Sequence, residues 1–137
     1  MIEGCNCMAL RKAARRVSNF YDSILASTGL RATQYSILAL MSEVGPVSIN
    51  ELAQHLELDR TTTGKNVRPL MTARLVKIAQ SPIDGRSKLV SLTRGGVVTL
   101  KKARPLWKRA QTEFESRNGQ RLTKNLRQTL AGLTVHP

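Results

Sequence analysis

A chain of 137 residues suits one domain, large enough to bury its own core. Its 22 Lys and Arg against 9 Asp and Glu leave a net charge of +13, which implies a polyanionic partner. Aromatics are only 4%, against a single-strand binder built on stacked bases. No run approaches the ~18 apolar residues of a membrane span, and no basic-then-apolar leader opens the sequence. Cys5 and Cys7 are too few and too close for a disulfide framework, so a reducing, cytoplasmic setting is expected.

From Met8 to Ser27, apolar residues recur in steps of three and four (Leu10, Ala13, Ala14, Val17, Phe20, Tyr21, Ile24, Leu25). That spacing predicts one face of an amphipathic helix, ended by Thr28-Gly29. A second helix is expected from about Thr33, carrying Tyr35, Ile37, Leu38, Leu40 and Met41, and stopping at Gly45-Pro46. Ser48-Ile-Asn-Glu51 is a capping box, with Val47 and Leu52 placed as a hydrophobic staple. The helix it starts turns Leu52, Ala53 and Leu56 inward. Asp59 then caps the next helix. Helix, three-residue turn, helix is the helix-turn-helix pattern, and its second member is the candidate reader.

On a wheel from Arg60 to Ala73, Thr63, Val67, Leu70 and Met71 share the inward face. The opposite face carries Thr61, Gly64, Lys65, Arg68 and Thr72, with Arg60, Thr62 and Asn66 on its flanks. Hydroxyls and amides suit phosphate or base-edge hydrogen bonds, and Lys65 and Arg68 suit guanine or phosphate. Gly64 costs a helix ~1 kcal/mol relative to alanine. It either admits a close backbone approach to the groove or is a tolerated surface glycine.

Leu75 to Gln80 and Lys88 to Leu92 are short strands joined through Pro82 and Asp84-Gly85, hence a hairpin. Arg86, Ser87 and Lys88 make its tip basic, and a guanidinium there can enter a narrow minor groove. Asp84 would repel phosphate; it is expected to cap the turn and orient Arg86 through a charge-assisted hydrogen bond. Between Asp59 and Arg104 the chain carries 11 Lys or Arg against 2 Asp. Thr93 starts a long helix with Val97, Leu100, Ala103, Leu106, Trp107, Ala110 and Phe114, which Pro105 should bend. Asn118-Gly119 separates it from a last helix with Leu122, Leu126, Leu130 and Leu133.

These elements predict a mainly α chain with a small β-hairpin wing. Residues 1–30 and 94–137 would be dimerisation helices around a winged helix-turn-helix at 31–93. The terminal helices are not needed to complete the reading module, so a second copy is the economical cover for their apolar faces. A two-fold dimer would present two reading helices to a palindromic double-stranded operator.

The residues that carry a family resemblance are Gly29-Leu30, Gln34-Tyr35, Leu38, Asn50-Glu-Leu-Ala, Leu58-Asp-Arg-Thr-Thr and Leu75-Val. Above all there is Asp84-Gly-Arg-Ser-Lys-Leu-Val-Ser-Leu-Thr, with a glycine soon after. Together they resemble the MarR family of winged-helix regulators over nearly the whole chain. The resemblance implies a homodimer and repression relieved by a small molecule, such as an aromatic acid, or by an oxidant. It implies Arg86 as the wing arginine, with groove contacts from Arg60 to Arg68. Two positions depart from the pattern: Arg74 stands where the reading helix commonly ends in glycine, and Pro69 lies within that helix. Arg74 could offset its strain through a phosphate contact.

Cys7 is similarly placed to the reactive cysteine of the family's organic-hydroperoxide-sensing branch, and Tyr21 matches a tyrosine that meets that cysteine across the dimer. A second such tyrosine is replaced by Ala32. Cys5 would then be a resolving or accessory thiol; the bland reading is two inert thiols near a chain end. Cys-X-Cys with His55 and His136 far away does not complete a zinc site, so neither metal nor cofactor is expected. No paired-acid, Ser/His/Asp or phosphate-loop signature points to an enzyme. The competing readings are a winged-helix assembly module for other proteins and a nonspecific nucleoid-type DNA binder.

Overall fold

In the computed structural model, which describes residues 2–134, the elements run in the expected order. They are α1 (Asn6–Leu25), α2 (Ala32–Val44), α3 (Ile49–Leu56), α4 (Arg60–Thr72), β1 (Val76–Gln80), β2 (Lys88–Leu92), α5 (Arg94–Asn118) and α6 (Gln120–Ala131). His136 and the other ends of the predicted segments 1–30 and 94–137 lie outside the described residues.

Side chains set the helix starts. The Ser48 hydroxyl accepts the Glu51 N–H at 3.1 Å, the Asp59 carboxylate accepts the Thr62 N–H at 2.6 Å, and the Thr93 hydroxyl accepts the Gly96 N–H at 3.0 Å. The cap of α2 comes from another helix: Asp22 on α1 accepts the Ala32 N–H at 2.7 Å. Val47 and Leu52, the two residues placed for the staple, are both buried in the core.

The ends of α3 and α4 share one solution. Leu58 N–H reaches Ala53 O and Glu57 N–H reaches Gln54 O; likewise Leu75 N–H reaches Leu70 O and Arg74 N–H reaches Met71 O. Each pair is a Schellman motif, whose pivot residue must be left-handed. The pivots are Glu57 (φ 53°) and Arg74 (φ 60°), neither of them glycine, at a cost of ~1 kcal/mol each. The strain anticipated at Arg74 is present, and Glu57 adds a second instance. Pro69 does not end α4, which continues to Thr72.

The core gathers Leu25, Leu30, Tyr35, Leu38, Met41, Leu52, Val67, Leu70, Val76, Val90 and Leu100, each fully buried aliphatic contributing ~1.5–3 kcal/mol. Thr63 is also buried, its hydroxyl donating to Asp59 O at 2.8 Å. Met71 was expected inside but is 38% exposed, because the stripe of α4 covered by its neighbours is only as wide as Thr63, Val67 and Leu70. Val97 of α5 is exposed as well.

The strands pair antiparallel with Val76 opposite Leu92 and Gln80 opposite Lys88. Val47 adds a bridge to Val90, exchanging hydrogen bonds of 3.0 and 2.7 Å, which ties the wing to the start of α3. Thr93 also donates to Arg74 O at 2.6 Å. At Gly96 a Cβ would fall 2.0 Å from Leu75 O, so α5 meets the start of β1 backbone to backbone.

The terminal helices are covered less completely. Of the α1 face only Leu25 is buried, and Leu10, Leu122, Leu126 and Leu130 remain exposed. A groove of about 540 Å³ between α1, α5 and α6 is lined by Leu10, Val17, Phe114, Leu126 and Leu130, among others. Along its edge Tyr21 donates to Gln111, Arg117 lies 5.1 Å above the Phe20 ring, and Arg127 pairs with Glu115 at 3.8 Å.

Candidate nucleic-acid interface

The burial of Thr63, Val67 and Leu70 fixes the rotation of α4 and therefore which residues face out. Thr61, Lys65, Arg68 and Thr72 are exposed, Arg60 is exposed at the first turn, and Thr62, Gly64 and Asn66 are half-buried on the flanks. A Cβ at Gly64 would meet nothing within 4 Å, so no intramolecular packing requires glycine there. The Asp59 carboxyl is held below its ordinary value, first by the Thr62 N–H, then by the Thr62 hydroxyl, with Lys65 adding to the effect.

The wing turn is organised by two short polar side chains. Ser81 N–H donates to Ser87 O at 2.8 Å, closing the loop, and the Ser81 hydroxyl accepts the N–H groups of Ile83 and Asp84 at 3.2 and 3.3 Å. Asp84 accepts the Arg86 N–H at 3.0 Å and the Ser87 hydroxyl at 3.1 Å. Asp84 thus caps the turn and orients Arg86 through a charge-assisted hydrogen bond, as expected, and the donor is the main-chain N–H of Arg86. A carboxylate reaches the N–H two residues ahead without freezing a long side chain, which makes this the cheaper bond.

The hairpin returns its basic residues to the helix-turn-helix. Arg60 at the start of α4, Ser48 and Asn50 at the start of α3, and Arg86, Ser87 and Lys88 of the wing surround one cleft of about 420 Å³. Lys65, Arg68 and Arg74 stand outside it, on the outer face and at the end of α4. Among the described residues the ion pairs lie on α5 and α6, joining Arg109 and Arg117 to Glu113 and Arg127 to Glu115. No cation between Arg60 and Lys88 is neutralised in this way. Sequence reasoning did not place Ser48 and Asn50 beside the wing; the Val47 bridge to Val90 does so, and one short strand residue carries little signal.

The proposed sensing residues lie elsewhere. Cys5 caps α1, its sulfur accepting the Met8 N–H at 3.4 Å, and Cys7 is exposed in the first turn. Burial first, then Glu115, raises the Tyr21 phenol above its ordinary value, against Arg127. A separate cavity of about 510 Å³ opens between α2 and α5, lined by Tyr35, Glu43, Arg104, Trp107 and Lys108 among others. Tyr35 and Trp107 stack there with centroids 5.7 Å apart and planes 18° apart. Burial raises the Tyr35 phenol, partly offset by a hydrogen bond and the charge of Arg104.

Comparison with known proteins points the same way. The MarR family model matches residues 28–87, from the end of the first helix to the wing. An uncharacterised HTH-type transcriptional regulator, YxaD of Bacillus subtilis, is 32% identical over 83 residues, 60% of this chain and 58% of that protein. The organic hydroperoxide resistance transcriptional regulator of the same species is 26% identical over 102 residues, 74% of this chain and 69% of that one. Thus the matched stretch spans little more than half the length of the first relative. The M. tuberculosis transcriptional regulator MosR, solved in complex with DNA, is 33% identical with a TM-score of 0.77, covering 96% of this chain and 99% of that one. A winged helix-turn-helix with this order of elements, these matches and a basic cleft between reading helix and wing leads to one assignment: the chain belongs to the MarR family.

Proposed function

We propose that the chain is a sequence-specific transcriptional regulator that binds a palindromic operator as a homodimer and acts as a repressor. One observation carries the reading: un-neutralised Arg60 at the start of α4 and the wing cations Arg86 and Lys88 line one cleft, with Lys65 and Arg68 exposed on the outer face of the same helix. Arg60, Thr61, Thr62, Gly64, Lys65, Asn66 and Arg68 would lie along the major groove, with Arg74 meeting phosphate as the helix exits. Arg86, Ser87 and Lys88 would follow the backbone into the minor groove, on a loop that Asp84 holds in shape. The two reading helices of the dimer would sit about one helical turn apart. Assembly of other proteins would favour an apolar or acidic outer face on α4, and this face is neither.

The test is selection of duplexes from a random-sequence library, followed by titration against competitor DNA. A recovered palindrome, bound ~10³-fold or more above competitor, is expected. Equal affinity for all duplexes would leave only a nucleoid-type binder. Lys65→Ala and Arg68→Ala should each reduce the slope of log affinity on log salt by about 0.9 if each meets one phosphate.

Release from the operator has two supports. The α2/α5 cavity offers a flat aromatic wall beside Arg104 and Lys108, which suits a small aromatic acid. Exposed Cys7, together with similarity to a hydroperoxide-resistance regulator, favours oxidation by an organic hydroperoxide to a sulfenic acid, the peroxide leaving as its alcohol. Cumene hydroperoxide should weaken operator binding by the wild type but not by Cys7→Ser. An equal response of the two would remove the redox branch and leave the cavity.

A further inference from the structure

Most exposed large hydrophobic residues of this chain, such as Val97, Val98 and Met71, are only partly exposed. Leu10, Leu122, Leu126 and Leu130 adjoin the groove between the terminal helices, and a second copy accounts for them. Ile83 has no such account. It is 97% exposed, against 63% or less for every other exposed large hydrophobic residue among those described. Nor is its loop slack. Pro82 restricts the backbone just before it, the Ser81 hydroxyl accepts its own N–H, and Asp84 ties the next residues from the other side. An isoleucine is therefore held out into water at the end of the hairpin, three residues from Arg86.

We infer that Ile83 is an apolar wing-tip contact that packs against the deoxyribose wall of the minor groove beside the Arg86 site. The inference rests on the DNA-binding reading above. Minor-groove proteins bring aliphatic side chains into the groove, commonly as wedges between base steps; the groove walls are sugar carbons, against which a short branched side chain can pack without unstacking. Because A·T-rich segments narrow the groove, they bring both walls within reach of a short side chain. Ile83 then adds preference for A·T-rich sequence under the wing without carrying charge. Arg86 and Lys88 supply attraction that salt weakens, whereas Ile83 supplies contact that salt does not.

That difference gives the test. The probe is the duplex that the wild-type chain selects from a random library, together with a copy carrying G·C pairs under the wings. Ile83→Ala should bind the A·T form about 5- to 10-fold more weakly, with an unchanged salt slope, and should lose most of its preference over the G·C form. Ile83→Val should stay within about 2-fold of wild type, since it keeps the branched shape. Arg86→Ala, by contrast, should lower the salt slope by about 0.9. Wild-type affinity and preference in Ile83→Ala, with a reduced slope in Arg86→Ala, would overturn the wing-tip contact and leave the DNA reading intact. No enriched duplex for the wild type would overturn both. The side chain is fully exposed, so loss of fold does not confuse the outcome; a melting curve matching wild type confirms it.

Discussion

The winged module and the terminal helices solve burial differently. In the module, Leu38, Leu52, Val67, Leu70 and Val90 close on one another, and each helix start finds a side-chain cap. What remains outside is mostly charged or hydroxylic, with Ile83 and the partly exposed Met71 and Ile78 among the exceptions. On α1 and α6 the balance is reversed: apolar side chains stay open along a groove, and the polar contacts, Tyr21 with Gln111 and Arg127 with Glu115, lie at its edge. The contrast teaches that the first region is complete in one copy, while the second is completed by the proposed partner copy.

Charge placed in the groove should give the largest effect. Leu126→Asp with Leu130→Asp is expected to yield monomers in sedimentation and to weaken operator binding by ~10²–10⁴, the gain that linking two half-site contacts provides. A dimer surviving both changes would break the comparison. The module should answer in the opposite sense: Leu52→Ala ought to cost ~2–5 kcal/mol in denaturant unfolding, for a buried leucine with no room to collapse, while the remaining folded protein stays dimeric.

Smaller effects sharpen the distinction between strain for folding and strain for binding. Glu57→Gly and Arg74→Gly should each stabilise the chain by up to ~1 kcal/mol, since glycine meets no Cβ penalty at a left-handed pivot. Only Arg74→Gly should also weaken operator binding. Equal binding by the two variants would remove Arg74 from the contact surface. The smallest effect concerns pH. Asp59 titrates below its ordinary 3.8 in the folded chain, so its stabilisation is present above that value and lost as pH falls through the lowered one. Melting temperatures of wild type and Asp59→Asn should therefore respond differently to acid only below about pH 4.

Much of this arrangement could be read from the chain because its punctuation is local. Ser48, Asp59, Thr93, Gly29 and Gly119 act within a few residues of where they stand, and the elements they bound appear where expected. Burial on α4 was less legible. A wheel treats Met71 as equivalent to Val67, but how wide a stripe is covered depends on neighbours that the helix alone does not specify. The same applies to the site. Lys65, Arg68 and Arg86 declare themselves by charge, whereas the approach of Ser48 and Asn50 to the wing follows from a bridge between Val47 and Val90, 43 positions apart in the numbering. Asp84 shows a third limit. Its role and its partner Arg86 are legible but the donor group is not, because a carboxylate two residues from an arginine has both a side chain and an N–H to choose from.

The backbone contact at Gly96 has a consequence for how a signal could travel. With the Leu75 carbonyl filling the space a side chain would take, and Thr93 bonded to Arg74, the long connecting helix is seated directly on the root of the hairpin. Apart from the Leu92 side chain, the groups nearest Gly96 at that joint are backbone, which yields little to a tilt. A tilt of the connecting helix by a few degrees would therefore swing the hairpin bodily, and with it the separation between the two wings of a pair. Occupancy of a distant pocket would be converted into a mismatch with the pitch of DNA.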